Sequence, residues 1–507
     1  MFTTIHSAAV LGLECTTIDV EVDIAGAWPG YHIVGLPDTA IQEAKERIRT
    51  AWKNSGLQFP NNGRVVVNLA PADIRKEGSL YDLPMAVGMY CATTKQSDID
   101  LSDCLFVGEL ALDGTLRHTN GILPIAIFAA EQGYKHLFLP LVNATEAGLV
   151  EHIRIHPVAS FRHVIDHIEQ VSIIPPLEPS PLALDAPLLS IDGDMAYIKG
   201  QEFAKRALEI AASGAHNILL SGPPGSGKTL LARTFPSLLP SMTAKEIIEV
   251  TKIYSVAGLL PKNKPYINQR PFRSPHHSAS GVALVGGGKY PKPGEISLAH
   301  RGVLFLDEFP EFPRVVLENL RQPLEDGVVT ISRAQGTLSF PARFTLIASQ
   351  NPCPCGYATD PEKPCVCSPE QKHRYQKKIS GPLLDRIDLH VDVPRVQFEK
   401  LHTVALSESS ALVRERVEAA RERQRKRFAS LPIATNSEMG NKEIREFCPL
   451  TDDTIELLRT ATKQMGFSAR SFFRIIKMAR TIADLDRDDR IHPHHVAEAI
   501  QYRARAE

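Results

Sequence analysis

Three groups of residues have the types and spacing to do chemistry. Residues 222 to 229 read Gly-Pro-Pro-Gly-Ser-Gly-Lys-Thr, which fits G-x-x-x-x-G-K-[ST], a loop whose backbone N–H groups cradle phosphates. Gly222, Pro223, Pro224, Gly225, Ser226 and Gly227 would form the cradle, Lys228 would reach the outer phosphates, and Thr229 would offer its hydroxyl to Mg²⁺. Downstream, Val303-Leu-Phe-Leu-Asp-Glu308 ends an apolar run in two acids. Asp307 suits a hydrated Mg²⁺, and Glu308 suits the orientation or deprotonation of an attacking water. A further apolar run, Phe344-Thr-Leu-Ile-Ala348, leads through Ser349 and Gln350 to Asn351, placed to hold that water. The third group is Cys353, Cys355, Cys365 and Cys367, two C-x-C pairs in a loop rich in Pro, Gly and Asp. Four thiolates there would close a tetrahedral Zn²⁺ site with no open position, hence a structural one; another metal or four reduced thiols are the alternatives. The first two groups imply binding and hydrolysis of a nucleoside triphosphate, ATP with Mg²⁺.

Such residues must be held by a sheet. Asn217-Ile-Leu-Leu-Ser221 is a short apolar strand before the loop, and Leu230 to Phe235 continues as a helix whose N-terminus favours an anion. From Tyr197 to Pro394 strands and helices alternate, as a parallel sheet requires, with the acids at its C-terminal edge. Upstream, Ile18 to Ile24 and Arg64 to Leu69 read as strands, and Pro37 to Asn54 as a helix with Ile41, Ala44, Ile48 and Ala51 at helical spacing. Between these regions Pro175, Pro176, Pro179, Pro181 and Pro187 break every periodicity, which marks a linker. The C-terminal part is helical, including Ser407 to Phe428 and Ala469 to Leu485. The expected fold class is α/β, organised as an N-terminal domain over 1–170, a Pro-rich linker over 171–192, a nucleotide-binding core over 193–394 and a helical lid over 395–507.

At 507 residues the chain exceeds one hydrophobic core. With 43% hydrophobic and 23% charged residues it has a soluble, globular composition, and a formal net charge of −1 neither favours nor excludes a polyanionic partner. The start lacks a basic n-region, and Glu14 interrupts it, so no secretory signal is expected. No apolar run approaches the roughly 20 residues that span a bilayer; Gly121 to Ala130 is the best and is core-sized. A cytoplasmic location and no membrane partner are expected. Eight cysteines in so long a chain are not a disulfide scaffold; Cys15, Cys91, Cys104 and Cys448 are isolated and read as buried thiols.

Beyond the phosphate loop and the acids, Gly200-Gln-Glu, Ala215-His-Asn, Arg273-Ser-Pro-His-His-Ser-Ala-Ser280, Pro293-Gly-Glu-Ile-Ser-Leu-Ala-His300, Ser380-Gly-Pro-Leu-Leu-Asp-Arg-Ile-Asp388 and Ala479-Arg-Thr-Ile-Ala-Asp-Leu485 carry a resemblance over nearly the whole chain. The chain resembles an AAA+ ATPase, and within that group the Mg-chelatase-like ComM/YifB family. The resemblance implies an AAA+ P-loop core with a helical lid and a homo-oligomeric ring, usually a hexamer, with ATP sites between neighbours. It also implies roles for Arg386, as a finger reaching a neighbour's γ-phosphate, and for Arg470, as the second sensor on the lid. By residue type alone each reads as an ion-pair arginine.

Two segments could hold nucleic acid. Val328 to Phe340 reads as two alternating strands around an Arg-Ala-Gln-Gly turn, a β-hairpin. Relatives carry such a hairpin pointing into the ring channel, where Arg333 would contact phosphate without sequence preference. Residues 270–296 include His276, His277, Gly286-Gly-Gly288, Lys289 and Lys292, and suit a second channel loop; an ordinary surface loop is the alternative. The basic stretches 372–378 and 421–427 read as solvated faces.

The N-terminal domain resembles the Lon-protease-like domain, with the fold of ribosomal protein S5 domain 2, through Lys76-Glu-Gly-Ser-Leu-Tyr-Asp-Leu-Pro84, Val107-Gly-Glu-Leu-Ala-Leu-Asp-Gly114, Asn120-Gly-Ile-Leu-Pro124 and Leu139-Pro-Leu-Val-Asn143. A Ser-Lys protease needs a lysine beside its serine. The segment 121–132 where that lysine belongs has none, and Ser79 is displaced from the pattern of active members, so peptidase activity is not expected. The resemblance implies an ATP-driven ring motor on single-stranded or branched DNA, a helicase or branch-migration enzyme of recombination and natural transformation, with recombination proteins as possible partners. The alternatives are a Mg-chelatase-type motor subunit and a partner-dependent remodelling ATPase.

Overall fold

The computed structural model describes residues 2–26, 28, 30–60, 63–94, 100–178, 193–261, 264–288, 291–333, 336–396 and 406–503. The chain forms two compact units: residues 1–183 with 244–267, and residues 184–243 with 268–507. Most of the expected linker lies outside the described residues; its first part, 171–178, forms neither helix nor strand.

The first unit is built on a seven-stranded sheet in the order Gly30–Val34, Arg64–Ala70, Glu14–Ala25, Phe2–Leu11, Cys104–Phe106, His136–Pro140, Arg154–Val158. Its two long strands form an antiparallel hairpin, while the last three strands run parallel. The helix Thr39–Asn54 is capped by Asp38, whose carboxylate accepts from the Ile41 N–H at 2.9 Å, and it buries Ile41, Ala44, Ile48 and Ala51 on one face. The most apolar segment of the sequence becomes the buried helix Ile122–Glu131. Against it packs Ala244–Ala257, a helix that chain order places within 193–394 but that belongs to this unit. The Ser255 hydroxyl donates to the buried Glu146 at 2.5 Å, and the Ser255 carbonyl accepts from Gly121 N–H at 3.2 Å.

The second unit holds a five-stranded parallel sheet in the order Phe272–Arg273, Val303–Leu306, Thr345–Gln350, Ile218–Ser221, Leu389–Asp392. Val303–Leu306 is buried at every residue, which is why it reads as a continuous apolar run rather than an alternating one. The register pairs Leu306 with Ala348 and Ser221 with Gln350. Three strands therefore end side by side, and the phosphate loop, the two acids and Asn351 emerge along one sheet edge. The C-terminal helices, including Ser410–Arg427 and Ala469–Leu485, join the sheet in a single core: Val413, Val417, Ile475, Ala479 and Ile482 cluster with Ala207, Leu208 and Ile218. The division at 394/395 is thus one of chain order, and no break in the core accompanies it. Among the described residues no helix is long and apolar enough to cross a membrane.

Candidate active site

The phosphate loop joins Ile218–Ser221 to the helix Lys228–Thr234. Gly225 and Gly227 have φ of +77° and +93°, a backbone that exposes N–H groups and that side chains disfavour. A Cβ on Gly222 would stand 2.1 Å from the Val393 carbonyl oxygen, so only glycine lets the loop pass the last strand. Gln201 reinforces this approach, its amide donating to the carbonyls of Pro394 at 2.6 Å and Ser226 at 3.3 Å.

Lys228 is 8% exposed, and its ammonium donates to the carbonyls of Gly222 (2.7 Å) and Pro223 (2.9 Å) and to Asn351 Oδ1 (3.2 Å). Burial lowers its pKa and the nearby Asp307 opposes that shift. A phosphate group would add the negative charge that a buried ammonium favours. Thr229 Oγ1 donates to Asp307 Oδ2 at 3.0 Å, so the two expected Mg²⁺ ligands already face each other. The other Asp307 oxygen accepts from the Ser349 hydroxyl and, at 3.1 Å, from the Glu308 N–H. Glu308 sits at φ +53°, and its carboxylate, 57% exposed, points to solvent beside His277 Nδ1 at 3.4 Å. This arrangement of a buried ammonium, a hydroxyl–carboxylate pair, a solvent-facing acid and an amide can receive a Mg²⁺–triphosphate and a water.

Ser349, His277 and Gln201 extend the set expected from sequence. Ser349 lies two residues before Asn351, one step beyond the Leu306–Ala348 pair, where its hydroxyl meets Asp307; the spacing from Asn351 was available in the sequence. Nothing local in the sequence points His277 at Glu308.

Arg386 and Arg470 are brought together at a different place. Arg386, 5% exposed, donates through Nη2 to Glu325 Oε2 and through Nη1 to the Pro382 carbonyl at 2.7 Å, and Arg470 Nη2 lies 3.6 Å from Glu325 Oε1. Arg474 pairs with the buried Asp388 and donates to the Arg386 carbonyl at 3.1 Å.

The four cysteines of the loop converge. Cys353 Sγ lies 3.4 Å from Cys355 Sγ and 3.7 Å from Cys365 Sγ, Cys355 and Cys365 are 3.6 Å apart, and Cys367 Sγ accepts from the Cys355 N–H at 3.4 Å. Ligands on a tetrahedral Zn²⁺ with bonds of about 2.3 Å are separated by roughly 3.8 Å, so these thiols fit one ion. The Tyr357 N–H, with the Val366 N–H and neighbouring thiols, draws the Cys355 pKa down to about 6, while burial and the same cluster push the Cys353 and Cys367 thiols up. This loop abuts the phosphate loop: a Cβ on Gly356 would come within 2.6 Å of Pro224 Cδ.

The expected hairpin is present as Val328–Arg333 paired with Gly336–Pro341. Arg333 ends its first strand, with its side chain outside the described residues. In the other insertion, Lys292 is exposed in a small antiparallel pair with Gly286–Gly287, and Lys289 lies outside the described residues. In the first unit, Ser79 Oγ donates to Glu109, while the buried Lys76 ammonium donates to the Pro71 carbonyl, so the serine and the lysine nearest it in sequence each have another partner.

Comparison with known proteins covers the chain from end to end. A family model described as magnesium chelatase, subunit ChlI, matches residues 194–401; a second, subunit ChlI of Mg-chelatase, matches 20–143; and the ChlI C-terminal model matches 407–503. The chain is 43% identical to the competence protein ComM of Haemophilus influenzae over 99% of its own length and 97% of that protein. It is equally 43% identical to the YifB protein of Escherichia coli, over 99% and 96%. Similarity to the chloroplastic magnesium-chelatase subunit ChlI of Nicotiana tabacum is 22% over 60% of this chain and 71% of that one. The chain belongs to the Mg-chelatase-like ComM/YifB family of AAA+ ATPases.

Proposed function

We propose that this member of the Mg-chelatase-like ComM/YifB family is an ATP-hydrolysing ring motor that moves on DNA, acting as a helicase or branch-migration enzyme in recombination and natural transformation. The observation that carries the ATPase is the convergence of Lys228, Thr229, Asp307, Ser349 and Asn351 at one sheet edge. The Gly222–Gly227 backbone would cradle the phosphates, Lys228 would bind the outer ones, and Thr229 and Asp307 would hold Mg²⁺. When bound, Mg²⁺ neutralises charge on the phosphate oxygens. Glu308 would take the water's proton and Asn351 would orient that water. Arg386 would stabilise charge on a neighbouring subunit's phosphoryl group in a homo-oligomer, a hexamer by family likeness, and Arg470 would serve as the second sensor on the lid. Cys353, Cys355, Cys365 and Cys367 would hold structural Zn²⁺ and stiffen the loop beside Pro224.

The DNA reading rests on the hairpin whose first strand ends at Arg333, on Lys289 and Lys292 of the second insertion, and on the competence protein named among the relatives. Phosphate contacts of that kind carry no sequence information, so the substrate would be defined by strand structure. The first unit is proposed as a scaffolding or DNA-binding unit without peptidase activity. The deciding experiment is steady-state ATPase with and without single-stranded and forked DNA, using Glu308→Gln and Arg333→Ala. Stimulation lost in Arg333→Ala, with Glu308→Gln silent throughout, supports the motor. Hydrolysis indifferent to every DNA overturns it and favours the second reading, a chelatase-type or remodelling motor, to which the ChlI family models point.

A further inference from the structure

Glu325 is the meeting point of Arg386, proposed to reach a neighbour's nucleotide, and Arg470, proposed as the second sensor. It lies in the last turn of the helix Arg321–Asp326; Gly327, at φ +68°, reverses the chain, and Val328 begins the hairpin. A second tie joins the two, since Gln322 Nε2 reaches Thr330 Oγ1 at 3.5 Å. Glu325 is therefore tied to the base of the hairpin.

The electrostatics of this cluster are unbalanced. Two guanidinium groups share one carboxylate, and the third neighbouring arginine, Arg474, is matched by its own acid, Asp388. One positive charge is left over, and Arg386 Nε is buried with no hydrogen-bond partner among the described residues. A carboxylate and a phosphate offer guanidinium the same forked pair of acceptors. The cluster thus has the donors for a second, larger anion and a carboxylate standing where that anion would bind.

We propose that Glu325 is a positioning residue that competes with nucleotide phosphate for Arg386 and Arg470, so that the arginines are withheld until displacement of the hairpin draws the carboxylate away. This rests on the proposed inter-subunit ATPase. Glu325 is half exposed at the end of a short helix and packs no part of the apolar core, so Glu325→Gln, which keeps its shape and an acceptor oxygen for Arg386, is the variant that best preserves the fold.

The test is steady-state ATPase of the full chain, as a function of ATP and of chain concentration, with and without forked DNA, for wild type, Glu325→Gln, Glu325→Ala, Glu325→Asp and Arg386→Ala. Loss of one partly exposed ion pair is expected to raise the DNA-free kcat of Glu325→Gln and Glu325→Ala about two- to fivefold, with KM for ATP unchanged. The same factor should disappear from the DNA stimulation, and Glu325→Asp should return toward wild type. With Arg386→Ala inactive, a DNA-free rate at or below wild type in Glu325→Gln and Glu325→Ala overturns the proposal alone. A wild-type rate in Arg386→Ala overturns the trans-acting arginine as well, and the proposal with it.

Discussion

Thr229 Oγ1 and Asp307 Oδ2 lie 3.0 Å apart, bonded across the gap between the phosphate loop's helix and the end of Val303–Leu306. The hydroxyl comes from the helix that follows one strand and the carboxylate from the end of another, so their meeting depends on the sheet register rather than on either motif. Both groups would exchange this bond for Mg²⁺. Asp307→Asn keeps the shape and removes the charge; it is expected to lower kcat at least about 100-fold, the scale of losing a metal's charge stabilisation. ATP binding without Mg²⁺, followed with a fluorescent nucleotide, should be little changed. Thr229→Val should act in the same direction and raise the Mg²⁺ concentration needed for half-maximal rate.

Ser349 supports this pair from beneath. Its hydroxyl donates to Asp307, and it accepts from the Glu308 N–H at 3.3 Å, holding two acids of different function in one geometry. Groups that orient metal ligands typically matter by about 10- to 100-fold. Ser349→Ala is expected to cost kcat about 10-fold, with thermal midpoint and KM for ATP near wild type, whereas Ser349→Thr should retain most activity. Kinetics of the two variants side by side check the hydroxyl's role.

The parts of the site that could be read from sequence are those whose chemistry is local. The phosphate loop is eight consecutive residues, and Asp307 and Glu308 follow an apolar run whose burial on both faces leaves its end as the place for charge. Asn351 follows from the same logic on a neighbouring strand. Glu325 does not: it stands 61 residues from Arg386, and an acid in a short helix announces no partner. The helix Ala244–Ala257 illustrates a related limit. Ile247, Val250 and Ile253 show which face it buries, but periodicity carries no information about what that face packs against, and the segment turned out to join the first unit. His277 reaches Glu308 only because Phe272–Arg273 pairs in parallel with Val303–Leu306, a register set by the whole sheet.

The cysteine loop should carry metal that affects nucleotide binding. The sulfur separations match a tetrahedral ion, and the loop touches Pro224 through Gly356. One zinc per chain is expected by elemental analysis, lost in Cys355→Ser with Cys365→Ser. That variant should bind nucleotide more weakly and show a lower thermal midpoint, because the loop buries little apolar surface to hold it without the ion. Full ATP affinity in the metal-free variant would separate the loop from the active site.

Asp388 gives the second unit an acid-sensitive anchor. Its carboxylate accepts from the Asn217 N–H at 3.0 Å, pairs with Arg474 and lies 3.4 Å from His216 Nδ1. Burial would push its pKa up, but Arg474 and His216 outweigh burial and hold it far below the usual carboxylate range. A carboxylate with a depressed folded-state pKa contributes stability that is fully present above its unfolded value, near 4, and lost as pH falls toward the folded value. Asp388→Asn strips that contribution and leaves Arg474 beside a neutral amide, a change that costs about 3–5 kcal/mol where a buried pair is broken. At pH 7 the thermal midpoint of Asp388→Asn is therefore expected well below wild type. As pH is lowered from about 5, wild type should lose stability faster than the variant, because only wild type must protonate this carboxylate on unfolding. Parallel curves for the two proteins across that range would mean that the pair with Arg474 does not set the acid limit of this unit.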